Sequence, residues 1–158
     1  MATKALVLGG GGVTGVAWEL GVLAGLAEAG IDLLTADLFV GTSAGSVVAA
    51  QITSGVPLAE LYERQLAPVG TEITAKIGMG PLATIVLAML RTRDEHAFRR
   101  RVGRMALAAR TMPEAERRAV IASRLPTHSW PEARLLVPAC DAATGEFVVF
   151  DRDAGVSL

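Results

Sequence analysis

The chain of 158 residues holds one cysteine, two histidines and only 4% aromatic residues. Each shortage excludes something. Cys140 has no partner for an internal disulfide, so the fold does not rest on a cystine framework, and a reducing, cytoplasmic setting is expected. His96 and His128 are the only two candidates for a histidine base. Charge of one sign is also lacking. A net charge of −1 gives no global attraction to nucleic acid, and no nucleic-acid partner is expected. Long apolar runs are missing as well. The longest, Ile77 to Leu90, is interrupted by Gly78, Gly80 and Pro81 and falls short of the ~20 residues a membrane-spanning helix needs. The apolar run before the first glycines is too short for the core of a signal peptide. What is abundant is hydrophobic residue of ordinary kind, 51% of the chain, enough for a folded core rather than disorder.

The apolar pattern alternates between short runs and helical spacing. Ala5-Leu6-Val7-Leu8 is wholly apolar, the signature of a parallel strand buried on both faces. After a glycine run, Gly15 to Ala29 places Val16, Leu20, Leu23 and Ala27 at helical spacing, with Gly30 as its stop signal. Asp37 to Val40 reads as a second strand and Ala44 to Thr53 as a second helix. Pro57 to Leu66 reads as a third helix, with proline near its first position. This β-α-β-α order argues for an α/β fold with a parallel sheet. Pro113 to Leu125 reads as a charged amphipathic helix. Arg134 to Cys140 and Glu146 to Asp151 read as strands of a hairpin turning at Ala143-Thr144-Gly145.

Two junctions carry possible chemistry. In "LVLGGGGVTG" a strand runs into Gly9 to Gly12, where the backbone can approach a ligand closely. Three readings compete. Gly10-x-Gly12-x-x-Gly15 fits the dinucleotide fingerprint. Backbone N–H groups of the same turn fit an oxyanion hole. A tight turn with no ligand is the plain alternative. A dinucleotide site wants an acid at the far end of the second strand, whereas Asp37 lies at the near end. The far end instead holds Gly41-Thr42-Ser43-Ala44-Gly45, a G-x-S-x-G string at a strand-to-helix junction. That is the nucleophile elbow, in which a sharp turn exposes a serine above the sheet edge. Both junctions fall at the carboxyl ends of parallel strands, where ligands bind.

A nucleophilic serine needs a base. His96 sits among arginines and His128 in a loop, and neither fits the Ser-acid-His order of the α/β hydrolases. A Ser-His-Asp triad is therefore a poor fit.

"LGGGGVTGVAWELGVL", followed about thirty residues later by "VGTSAGSVVAA", resembles the patatin-like phospholipases and lipid acyl hydrolases. The likeness runs through Ala50 and resumes at "PACDAATGEFVVFDRDAGV". It implies a three-layer α/β fold with a mostly parallel central sheet. It also implies hydrolysis of lipid esters by a Ser-Asp dyad through an acyl-serine, without metal or cofactor. Ser43 matches the nucleophile, Gly10, Gly11 and Gly12 the oxyanion glycines, and Gly41 and Gly45 the elbow. A lipid ester would be the substrate, with peripheral contact at a membrane. A nucleotide-binding α/β module, or a patatin-like protein without turnover, is the alternative.

The chain departs from the family pattern in two places. Thr14 stands where many members carry a basic residue, so that charge is absent at this place. The family's D-G-[GA] string, which supplies the dyad aspartate, is absent; Asp153-Ala154-Gly155 is the nearest and does not match. The expectation is a single patatin-like domain over 1–158 that lacks its C-terminal part, with the aspartate supplied by sequence beyond it or by a second fragment. Residues 67–130 form its variable helical segment.

The remaining residues have plainer readings beside functional ones. Ile77 to Leu90 fits a buried helix or an acyl-chain groove. The six arginines from Arg91 to Arg104 fit a solvated face paired with Asp94 and Glu95, or a lipid-phosphate site. Trp18 and Trp130 are expected to pack, Cys140 to sit in the core, and Asp141 to bond the hairpin turn.

Overall fold

The computed structural model describes residues 3–67, 94–109 and 111–158. The apolar stretch Ile77 to Leu90, with Arg91 and Arg93, lies outside the described residues. So does part of the 67–130 segment. The described residues divide into two compact units. The first takes the described residues of Met1–Glu72, Glu114–Pro138 and Val149–Leu158, and the second those of Ile73–Pro113 and Ala139–Val148.

The described elements run β1 (Ala5–Leu8), α1 (Gly12–Glu28), β2 (Leu38–Gly41), α2 (Ala44–Ile52) and α3 (Leu58–Leu66). They continue with α4 (Glu95–Ala108), α5 (Glu114–Arg124), β3 (Leu135–Cys140) and β4 (Phe147–Phe150). The strands form one sheet in the order β1-β2-β3-β4. β1 pairs with β2 in parallel, from Ala5 opposite Leu38 to Leu8 opposite Gly41. β2 pairs with β3 in parallel through Phe39 opposite Leu135. The chain is thus an α/β fold with a mostly parallel sheet, as the alternation of periods predicts.

The core of the first unit lies between α1, α2 and one face of the sheet. Leu20 and Leu23 of α1, Val48 and Ala49 of α2, Leu61 of α3, and Leu8, Phe39 and Leu135 of the strands are buried together. α2 is buried along nearly its whole length, from Ala44 to Ile52 apart from Ser46. Small residues at Ala44, Gly45, Ala49 and Ala50 let it lie close to β1, β2 and α1. Leu34 and Ala36 pack against the same core from the α1–β2 connection.

Several expectations need correction. β1 is not buried on both faces. Leu8 is buried but Val7, its neighbour on the opposite face, is 70% exposed, because β1 is an edge strand whose second face no described element covers. α1 begins at Gly12 rather than Gly15. Its buried stripe is Val16, Glu19, Leu20 and Leu23, and Ala27 is exposed because the stripe ends where the helix leaves the core. Gly30 does close α1. Its N–H donates to Ala27 O and that of Ile31 to Leu26 O, the crossed pair of a Schellman ending. Trp18 is 68% exposed, since it lies on the face of α1 turned away from the stripe. Trp130 packs as expected and its Nε1–H donates to Val156 O at 2.7 Å.

In the second unit, Asp94 caps the N-terminus of α4, its Oδ1 accepting from the His96 N–H. Arg99 pairs with Glu95 at 3.4 Å and donates through Nε to Gly145 O. Arg100, Arg101 and Arg104 are exposed. Asp141 accepts from the N–H groups of Ala143 and Thr144, and its own N–H donates to Glu146 O, so it shapes the turn as expected. The bonds from Thr144 and Ala143 hold its carboxyl below the usual carboxylate range. Cys140 is exposed, not a core residue, because it ends β3 where the chain enters this turn.

Leu20 is fully buried where α1 meets α2 and α3. Leu20→Ala should cost about 3 kcal/mol, from lost burial and an unfilled cavity. A lower urea midpoint at unchanged slope checks this.

Candidate active site

Each loop of the site extends a strand pairing. Beyond the β1–β2 register, the Thr42 N–H donates to Leu8 O at 3.1 Å and the Gly45 N–H to Gly9 O at 2.8 Å. The glycine turn after β1 and the elbow after β2 are therefore bonded side by side.

This closeness explains Gly45, and the sharpness of the elbow itself explains Gly41. A Cβ at Gly45 would strike the carbonyl oxygen of Leu8 and come within 2.7 Å of Gly9 O. A Cβ at Gly41 would strike Gly45 O and lie 2.6 Å from the Ser46 Cα. Both obstacles are backbone, which cannot yield without moving the strand or the helix.

Ser43 stands between them as the N-cap of α2, with φ 56° and ψ −115°. It is the one non-glycine among the described residues with positive φ. Such a conformation costs about 1–3 kcal/mol and persists only where the surroundings dictate it. Its side chain is exposed and makes no capping bond to the helix it begins. The carbonyl of Ser43 is occupied instead, accepting from Ser46 Oγ at 2.6 Å and from the Ser46 N–H at 3.1 Å. The hydroxyl is thus left outside, at the positive end of α2.

The predicted glycines divide by position. Gly10 lies against the serine, since a Cβ placed on it would sit 3.6 Å from the Ser43 Cβ. Gly11 is the N-cap of α1, and its carbonyl accepts from the Gly15 N–H. Gly12 is the first residue of α1, with φ 61° and open space beside it. Gly15 also belongs to the contact. A Cβ there would lie 3.2 Å from the Ala44 Cβ, which makes the start of α1 a neighbour of the start of α2.

One residue of this region was missed in sequence. Glu19 is 7% exposed, and its Oε1 accepts the Gly9 N–H at 2.9 Å. Its Oε2 is buried with no partner among the described residues. Burial raises its pKa above the usual carboxylate value, and the Gly9 bond only partly opposes this. The signal was a charged residue at the i+3 place of the stripe Val16, Leu20, Leu23, where helical spacing calls for an apolar one.

None of the candidate bases is hydrogen-bonded to Ser43 among the described residues. His128 Nε2 lies 3.0 Å from Ala122 O, and His96 is an exposed residue of α4. Asp151 Oδ1 accepts the Asp153 N–H in a turn, and Asp153 is exposed. Asp37, the acid a dinucleotide site would need, is at the opposite end of β2. Its carboxylate accepts from Thr3 and Lys4, which hold it below its usual pKa.

A cavity of about 360 Å³ opens beside α2. Its walls include Ser46, Val47 and Ala50 of α2, with Leu125, Trp130 and Phe150. It begins one helical turn from Ser43 and is almost wholly apolar in lining. A second, smaller recess carries Gln51, Arg64 and Arg124.

The model of the patatin-like phospholipase family matches residues 6–153, most of the chain, and the chain belongs to that family. No curated protein matches it.

Two stability effects follow from the site. Ser43→Gly should raise stability by about 1 kcal/mol, since glycine relieves the positive φ. Chemical denaturation of the two proteins measures this. Glu19 has the opposite sign of linkage from a salt-bridged acid. Its folded pKa is raised, so the folded state favours the protonated form, and stability falls as pH rises from about the ordinary value of 4.5, that of the unfolded chain, through the folded pKa. Glu19→Gln should therefore melt at a higher temperature than wild type at pH 8. The difference should vanish below about pH 4.5, as melting curves across pH would show.

Proposed function

We propose that this patatin-like phospholipase family member is a serine acyl hydrolase of lipid esters, with Ser43 as its nucleophile. What carries the reading is Ser43 itself, a strained and exposed residue at a helix N-terminus with the glycine turn against it. Strain of this kind has no use in a plain turn, where glycine would be more stable. It serves a nucleophile that must project from the sheet edge.

In the proposed reaction the Ser43 hydroxyl attacks the ester carbonyl and passes its proton to a carboxylate base. Resemblance to the Ser-Asp enzymes makes that base an aspartate; no carboxylate among the described residues is hydrogen-bonded to Ser43. The carbonyl oxygen gains charge and is stabilised by backbone N–H groups of Gly10 to Gly12 and by the N-terminus of α2. The alcohol leaves with a proton, and water then hydrolyses the acyl-serine to return free Ser43 and a carboxylic acid. The apolar cavity beside α2 has the size and lining to take an acyl chain one turn from the nucleophile. No described helix is long and apolar enough to cross a membrane.

The test is labelling of the full-length protein by a fluorophosphonate, which reports an activated serine directly. Wild type should label and Ser43→Ala should not. Equal labelling of the two, or none of wild type, would overturn the assignment. In turnover of a soluble ester, Ser43→Ala should lose at least about 10³-fold in kcat.

A further inference from the structure

We propose that Glu19 is a positioning residue for this acyl-transfer site, aiming the Gly10 N–H by clamping the peptides of the glycine turn from the α1 side. The proposal rests on the hydrolase reading above and adds a residue to it.

A trans peptide is rigid, with its C=O and N–H on opposite edges. In the Leu8–Gly9 peptide, the carbonyl accepts from Thr42 of the elbow and the N–H donates to Glu19 Oε1 at 2.9 Å. This one plane is thus held from the elbow on one edge and from α1 on the other. In the following Gly9–Gly10 peptide the carbonyl accepts from Gly45 at 2.8 Å. The Gly10 N–H therefore points away from Gly45. Gly10 is the glycine that lies against Ser43. Without Glu19 the first plane keeps only its elbow bond, and a run of four glycines offers no side chains to hold the rest.

The chemistry of Glu19 supports a purpose. A carboxyl buried among Val16, Leu20 and Leu23 is costly, and an apolar residue would suit the stripe better. Its pKa is raised by that burial. One oxygen is spent on the Gly9 N–H and the other has no partner among the described residues. No hydrogen bond joins Glu19 to Ser43 among the described residues, so its proposed effect on catalysis runs through the loop.

Three forms of the full-length protein test this with p-nitrophenyl butyrate. Glu19→Leu removes the acceptor and should lower kcat by about 10- to 100-fold with KM changed less than about 3-fold, the mark of a misaimed oxyanion donor. Glu19→Gln keeps an oxygen acceptor at the same reach and should restore most of what Leu loses. A merely structural role predicts the reverse order of damage, because leucine fits the apolar stripe better than an amide does. Equal kcat for wild type and Glu19→Leu, or a Gln variant as slow as Leu, would overturn the proposal. Amide hydrogen exchange at Gly9 gives a readout free of turnover. The wild-type amide should be protected, and fast exchange there would overturn the clamp even if Glu19→Leu did not fold. An inactive wild type with a protected Gly9 amide would instead sink the hydrolase reading and leave the clamp standing.

Discussion

Two hydrogen bonds beyond the end of a strand pair hold the candidate site together: Thr42 N–H to Leu8 O, and Gly45 N–H to Gly9 O. They carry the β1–β2 ladder past the strands and into both loops. Everything else follows from the separation they impose. The backbones come so close that Gly45 tolerates no Cβ against Leu8 and Gly9, and the elbow turns so sharply that Gly41 tolerates none against Gly45 and Ser46. α2 must start at once, and Ser43 is forced to positive φ at its N-cap. The same bonds bring Gly10 beside Ser43 and Gly15 beside Ala44.

The site is made at some cost to stability. Ser43 holds a conformation that glycine would adopt more easily, and Glu19 places an ionisable group in an apolar stripe. The buried core of α1, α2 and the sheet offsets both. This division is common at catalytic sites, where rigid packing elsewhere maintains geometry the local sequence would not choose. α2 shows it most plainly. It is buried almost throughout, and so it fixes the elbow at its N-terminus and one wall of the apolar cavity along its side.

Membership of the patatin-like phospholipase family is consistent with this arrangement, and the departures at Thr14 and at the D-G-[GA] string bear on different parts of it. Thr14 is an exposed residue in the first turn of α1, so loss of a basic charge there leaves the contact between the loops intact. The missing string concerns the base. Two aspartates of the second region of likeness have their carboxylates engaged in turns, Asp141 with Ala143 and Thr144, and Asp151 with the N–H of Asp153.

The sequence by itself determined the alternation of strand and helix, the two loop motifs and the turn at Asp141, because each is set by local rules of periodicity, backbone freedom and short-range bonding. It misjudged features that depend on neighbours distant in sequence. Val7 and Cys140 look like core residues until the uncovered face of β1 and the end of β3 expose them. Trp18 looks like a packing residue until the stripe of α1 turns the other way. Only the tertiary structure decided that Gly10 rather than Gly12 lies against Ser43, and that a glutamate on α1 reaches Gly9. Both depend on how α1 docks against the elbow, an arrangement made by the whole core and written in no single stretch of the chain.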